Sequence, residues 1–162
     1  MKDSDQAVRK AATSSLASIG EPAIVDLGSC LRDSDLAVQE AAASILSTIA
    51  DDRVIEPLIS ALLSSDWVVR MHAAQAIGRL GNPQGIETLI LLLQDKVPTV
   101  RDTAIAALKT MGELAIPPLI ESLRHSDWRV RLRITEALGI LGSKAATQPL
   151  LCLLYTSDAA DE

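Results

Sequence analysis

Phenylalanine is absent from the 162 residues, and the aromatic content is confined to Trp67, Trp128 and Tyr155. A chain this long and 48% hydrophobic can still build a sizeable core, but it must fill it with Leu, Ile, Val and Ala. That favours helices packed through small and branched side chains. Cysteine is scarce too. Cys30 and Cys152 cannot form a disulfide framework, so a reducing, cytoplasmic compartment is expected. No run reaches eighteen uninterrupted apolar residues, and Met1-Lys2-Asp3 leads into no signal-peptide core, so neither a membrane span nor a leader is expected. Basic charge is in deficit: 15 Lys and Arg stand against 21 Asp and Glu, for a net −6. This balance disfavours a generic binder of nucleic acid or anionic membrane. Imidazoles are limited to His72 and His125, and neither His-x-x-x-His nor Cys-x-x-Cys spacing occurs. No catalytic residue, cofactor or metal is therefore expected. The glycine-rich stretch Gly78-Arg79-Leu80-Gly81-Asn82-Pro83-Gln84-Gly85 lacks the Lys-Ser/Thr and the preceding strand of a phosphate loop. A turn between two helices accounts for it.

What the sequence does contain is a repeat. Val8-Arg9, Val38-Gln39, Val69-Arg70, Val100-Arg101 and Val130-Arg131 recur at intervals of 30, 31, 31 and 30 residues. Ahead of each lies an acidic turn: Ser4-Asp5, Ser34-Asp35, Ser65-Asp66, Asp95-Lys96 and Ser126-Asp127. Apolar residues follow each Val at offsets 4, 8 and 11, as in Ala73, Ile77 and Leu80 or Ile134, Leu138 and Leu141. These offsets trace one face of an α-helix. Gly20, Gly81, Gly112 and Gly142 stand one residue further on, where a left-handed cap is wanted, and Ala50 takes that place in the second unit. A shorter helix is expected next, apolar at offsets 0, 3, 4 and 7: Ile55, Leu58, Ile59 and Leu62, then Ile86, Leu89, Ile90 and Leu93, then Ile116, Leu119, Ile120 and Leu123. Pro22, Pro57, Pro83, Pro117, Pro118 and Pro149 fall at or near its start, where N–H groups have no intrahelical partner to lose. The predicted fold is all-α, an α-solenoid of about five helix pairs with units near 3–31, 32–62, 63–93, 94–123 and 124–151. No pair can bury its apolar stripe alone, so the units must stack.

Asp66-Trp67-Val68-Val69-Arg70, then Ala76 to Pro83, then Leu89-Ile90, resembles a HEAT repeat of the short type first associated with phycobilisome bilin lyases. Asp127-Trp128-Arg129-Val130-Arg131 and Ala137 to Gly142 repeat the match. The resemblance covers roughly residues 3–151. It implies a right-handed superhelix, with the first helix of each pair on the convex side and the second on the concave side. Its implication for activity is weaker, because the same repeat serves many unrelated scaffolds. HEAT-like hydroxylases hold a di-iron centre through His-Glu pairs; here Ala73 follows His72 and Ser126 follows His125, so that activity is not expected. Residues 152–162 resemble the in-frame translation of a sequencing adaptor and are expected to be a non-native tail, the rest being a fragment of a longer array. Without Asp158, Asp161 and Glu162 the net charge falls from −6 to −3.

Candidate functional residues follow from the faces of these helices. Val25, Ser29, Glu56, Ser60, Glu87, Leu91, Pro117 and Glu121 point away from the predicted core of the second helices. They should form a small or acidic concave strip, the surface a solenoid uses to hold a partner. Acid there favours a protein or peptide with basic residues and disfavours nucleic acid. Trp67 and Trp128 share one repeat position and are expected at the rim, where they could serve as anchors. Asp35, Asp66 and Asp127 fit helix N-caps. With Arg70, Arg101 and Arg131 they are expected, from the resemblance, to form a structural ladder between units. Arg124, Arg129, Arg131 and Arg133 make one local basic cluster. The expected function is a non-catalytic protein-interaction scaffold. The resemblance offers an alternative, a subunit or chaperone of a bilin (phycocyanobilin) lyase. The arginine cluster offers a third, contact with nucleic-acid phosphate.

Overall fold

The computed structural model describes residues 6–49 and 51–155. Ten α-helices run through them: α1 Gln6–Ile19, α2 Ile24–Cys30, α3 Leu36–Leu46, α4 Ile55–Ala61, α5 Trp67–Leu80, α6 Ile86–Leu92, α7 Pro98–Met111, α8 Ile116–Ser122, α9 Trp128–Leu141 and α10 Thr147–Tyr155. Among the described residues there is no strand. Each even-numbered helix is entered through a single 3₁₀ turn. Local chemistry sets these boundaries. Asp35, Asp66 and Asp127 accept the N–H of Ala37, Val68 and Arg129 at 2.9, 2.6 and 2.8 Å, so each caps the helix it precedes. Asp5, the expected cap of the first unit, lies outside the described residues, as does Ala50. At the other end, Gly81 and Gly142 close α5 and α9 in the left-handed region, with φ of 65° and 68°. Only glycine adopts that conformation without steric cost.

The second unit departs from the pattern. Its first helix should run to Ile49 by offset, but α3 ends at Leu46. No glycine cap follows it. Instead the Ser47 and Thr48 hydroxyls donate to the carbonyls of Ser44 and Ile45, and the backbone tightens into i, i−3 bonds at Thr48 and Ile49. Short hydroxyl side chains compete for helix carbonyls in this way.

Odd-numbered helices pack on one another in sequence, α1 on α3, α3 on α5, α5 on α7 and α7 on α9. Even-numbered helices wedge beneath, each against the first helix of the next unit: α2 on α3, α4 on α5, α6 on α7 and α8 on α9. The result is an all-α solenoid with one continuous apolar core. Leu58, Leu89 and Leu119, one repeat position in three units, are each 0% exposed. Burying such a side chain is worth about 1.5–3 kcal/mol. Val69, Val100 and Val130 are buried likewise, whereas Val8 is 48% exposed because α1 has a described neighbour on one side only. By length and composition Pro98–Ser122 is the one stretch among the described residues that could cross a membrane. Gly112, at φ 61°, splits it into α7 and α8, and Val100, Leu108 and Met111 of the first and Ile116 and Leu119 of the second are buried in the stack.

Candidate interaction surface

The recurring arginines serve the turns at which units meet. Nη1 of Arg70 donates to the carbonyls of Ser64 and Ser65 at 2.8 and 3.0 Å. Arg101 does the same to Asp95 and Lys96, and Arg131 to His125 and Ser126. Gln39, which replaces Arg in the second unit, reaches the Asp33 carbonyl with its amide at 2.6 Å. Each side chain therefore ties its helix to the turn that begins its own unit. Side-chain links also cross between units: the Asn82 amide donates to Asp52 Oδ1 at 3.3 Å over 30 residues, and two further links span 25 residues each. The Ser64 hydroxyl donates to Gln39 Oε1 at 3.2 Å, and Arg70 holds Asp95 through Nε and Nη2 at 2.7 and 2.9 Å. At Arg70 the cross-unit contact expected of the ladder is made by the carboxylate of Asp95, while Asp35, Asp66 and Asp127 cap the helices they precede. Burial penalises the charge on Asp95. The hydrogen bonds from Arg70 and the Val97 N–H, with the charges of Arg70 and Arg101, outweigh that penalty and hold it below the usual carboxylate value.

On the even-numbered helices the outward positions are set by the inward ones. With Ile24, Leu27 and Gly28 of α2 buried, Val25 and Ser29 must face out. The same phase exposes Glu56 and Ser60 on α4, Glu87 and Leu91 on α6, and Pro117 and Glu121 on α8. All eight expected residues are exposed, Val25 to 77% and Leu91 to 59%. Val25, Ser29, Glu56 and Ser60 are brought together along one groove of about 530 Å³ between α2 and α4. Gly28 lies at its floor: a Cβ there would lie 3.2 Å from Pro57 Cγ, tight enough that the proline ring would have to give by a few tenths of an ångström. Arg32 and Arg53 also line this groove. Its charge is therefore mixed, and the acidic strip read from the helix faces alone is incomplete at this end. Arg53 forks onto Asp51, with Nε and Nη2 at 3.0 and 2.7 Å from the two carboxylate oxygens. The hydrogen bonds from Arg53 pull the Asp51 pKa down to about 2. The run Asp51-Asp52-Arg53 was visible in the sequence, but its position beside α2 was not.

Trp67 and Trp128 are 42% and 58% exposed at the starts of α5 and α9. The Arg129 guanidinium lies over the Trp128 ring, 5.3 Å from its centroid. Among the described residues no polar or charged side chain is fully buried, and no group of three His, Cys, Asp or Glu gathers where it could hold a metal. The arrangement presents surfaces and open grooves, the equipment of binding. Of the expected tail, residues 152–155 continue α10, with Leu153 partly buried against the core. The remainder lies outside the described residues.

The family model for HEAT repeats matches residues 1–73, 24–109, 55–123 and 86–162, which together span the chain. The chain belongs to the HEAT-repeat family. Among curated proteins this HEAT array is 32% identical over 116 residues to the phycocyanobilin lyase subunit alpha of Picosynechococcus sp., a match covering 59% of this chain and 43% of that protein. It is 32% identical over 113 residues to the bilin biosynthesis protein PecE of Nostoc sp., covering 64% of this chain and 45% of that one. The chain thus spans under half the length of these curated relatives. Among solved structures, the complex of CpcE and CpcF of phycocyanin lyase from Nostoc sp. superposes with a TM-score of 0.62 at 24% identity, covering 82% of this chain and 90% of the other. Human deoxyhypusine hydroxylase in complex with glycerol superposes at 0.54 with 21% identity, covering 94% and 74%. Both likenesses are of fold.

Proposed function

We propose that this HEAT array is a protein-interaction scaffold that holds a protein or peptide partner along the face of its even-numbered helices, without catalysis of its own. One observation carries the reading: eight outward positions in four successive units are exposed, and four of them line a single open groove. Extended surfaces of this kind are what solenoids offer a partner. Glu56, Glu87 and Glu121 recur along it at successive units and favour a partner with basic residues. The test is charge reversal of all three to Lys, with affinity for a fluorescent Lys/Arg-rich peptide measured by anisotropy. Binding should weaken by about tenfold or more. Unchanged affinity would refute the reading.

The curated relatives favour a second and more specific reading, in which the scaffold is a subunit or chaperone of a bilin lyase. The two are compatible, since a subunit can contribute by holding the protein to be modified. Incubation with phycocyanobilin and an apo-phycobiliprotein, alone and with a candidate partner subunit, should then yield a shifted absorbance. No shift under either condition would dismiss it. Phosphate contact through the arginine cluster has less support, because Arg131 is bonded to carbonyls of its own turn and Arg133 to Glu136.

A further inference from the structure

Unit five repeats unit three with a change of chemistry at one corner. Where unit three has Leu63, Val68 and His72 around Trp67, unit five has Arg124, Arg129 and Arg133 around Trp128. The repeat itself shows which arginines are committed to the fold. Arg131 has the carbonyl contacts that Arg70 and Arg101 also make, and Arg133 pairs with Glu136 at 2.8 Å. Arg124 and Arg129 are exposed and have no carboxylate partner among the described residues. Arg129 instead covers one face of Trp128. Beside Arg129 opens a cleft of about 390 Å³ between units four and five, walled by Trp128, Leu132, Arg129 and Arg101 and by two carboxylates already engaged, Asp95 with Arg70 and Asp127 as the cap of α9. Trp128 is 58% and Leu132 45% exposed, so apolar surface and unpaired positive charge adjoin.

We propose that this corner is a second docking surface, separate from the even-helix face, for a protein segment carrying carboxylates beside an aliphatic side chain. Charge complementarity selects the carboxylates, and the exposed indole and Leu132 select the apolar neighbour. Tryptophan and arginine are the side chains that most often anchor such contacts. A nucleic-acid backbone fits less well. Two unpaired cations make a point contact, where phosphodiester binding needs a track of them.

The probe is a fluorescein-labelled hexapeptide of alternating Glu and Leu, titrated with the full chain and read by anisotropy. In a Trp67→Phe variant, saturation should also quench or shift the emission of Trp128. Arg129→Glu and Trp128→Ala should each weaken binding about tenfold. Lys109→Glu, an equal charge change elsewhere on the chain, should leave it unaltered. Arg124→Gln with Arg129→Gln should retain the wild-type thermal melt while losing binding. Equal weakening by Lys109→Glu, equal binding of a Glu/Ser peptide, or no effect of Arg129→Glu would overturn the proposal. Tighter binding of a single-stranded RNA of the same length would reassign the corner to nucleic acid.

Discussion

At Arg70 one guanidinium serves two units, holding Asp95 of the next while closing the turn of its own. Both side chains are nearly covered, at 12% and 9% exposure, so the pair is little screened. Arg70→Ala should remove charged hydrogen bonds and leave Asp95 partly desolvated without its partner, at a cost of about 2 kcal/mol. Urea denaturation at neutral pH checks this. The pH dependence follows from the depressed Asp95 pKa. Its stabilisation is present in full above the unfolded value of 3.8 and is lost as pH falls through the folded value. Asp51, pulled down to about 2, adds to the same acid window. The stability difference between wild type and Arg70→Ala should therefore shrink below pH 3.8. A constant difference down to pH 2 would show that the ion pair is not its source.

Between elements, two glycines at one repeat position report opposite environments. Gly78 in α5 and Gly139 in α9 look alike in sequence. A Cβ on Gly78 would lie 2.7 Å from Ala107 Cα, because α5 and α7 touch backbone to backbone there. A Cβ on Gly139 would meet nothing. Gly78→Ala should force the helices apart and destabilise by about 1–3 kcal/mol. Gly139→Ala, in an open helix interior, should stabilise by about 0.5–1 kcal/mol. Thermal melts of the two variants should move in opposite directions. Helix α3 shows the reverse dependence, since its early end follows from missing glycine and from hydroxyls that any reader of the sequence can see.

Across the whole molecule, stability is a sum of units and the interfaces between neighbours. Leu89 sits in the centre and is 0% exposed, while Leu150, 61 residues on at the equivalent position, is only half-buried. Leu89→Ala should cost about 2–5 kcal/mol, and Leu150→Ala markedly less. Chemical denaturation should show that order, and equal losses would mean that the end units are as well packed as the middle. The interaction surface belongs to this scale as well. Each exposed position on an even-numbered helix was legible from helical phase, because the buried stripe determines the opposite face. The groove between α2 and α4 was not, because Arg32, just after α2, and Arg53, just before α4, are far apart in the chain and line one groove only once those helices are stacked.

The period of about 31 residues, the helix pairs, the aspartate caps and the glycine stops were all written in the sequence. Each depends on hydrogen bonds or apolar spacing within a few residues, so local pattern suffices to specify it. The missing phenylalanine belongs here too, since close-packed helices in register use Ala, Leu, Ile and Val. Tertiary structure decided what identical positions become. It buried Val69 and left Val8 exposed, paired Arg70 with Asp95 rather than with a capping aspartate, and pressed Gly78 against Ala107 while leaving Gly139 open. These outcomes depend on which neighbour lies across the interface and how closely it packs, and a repeat position does not encode its neighbour.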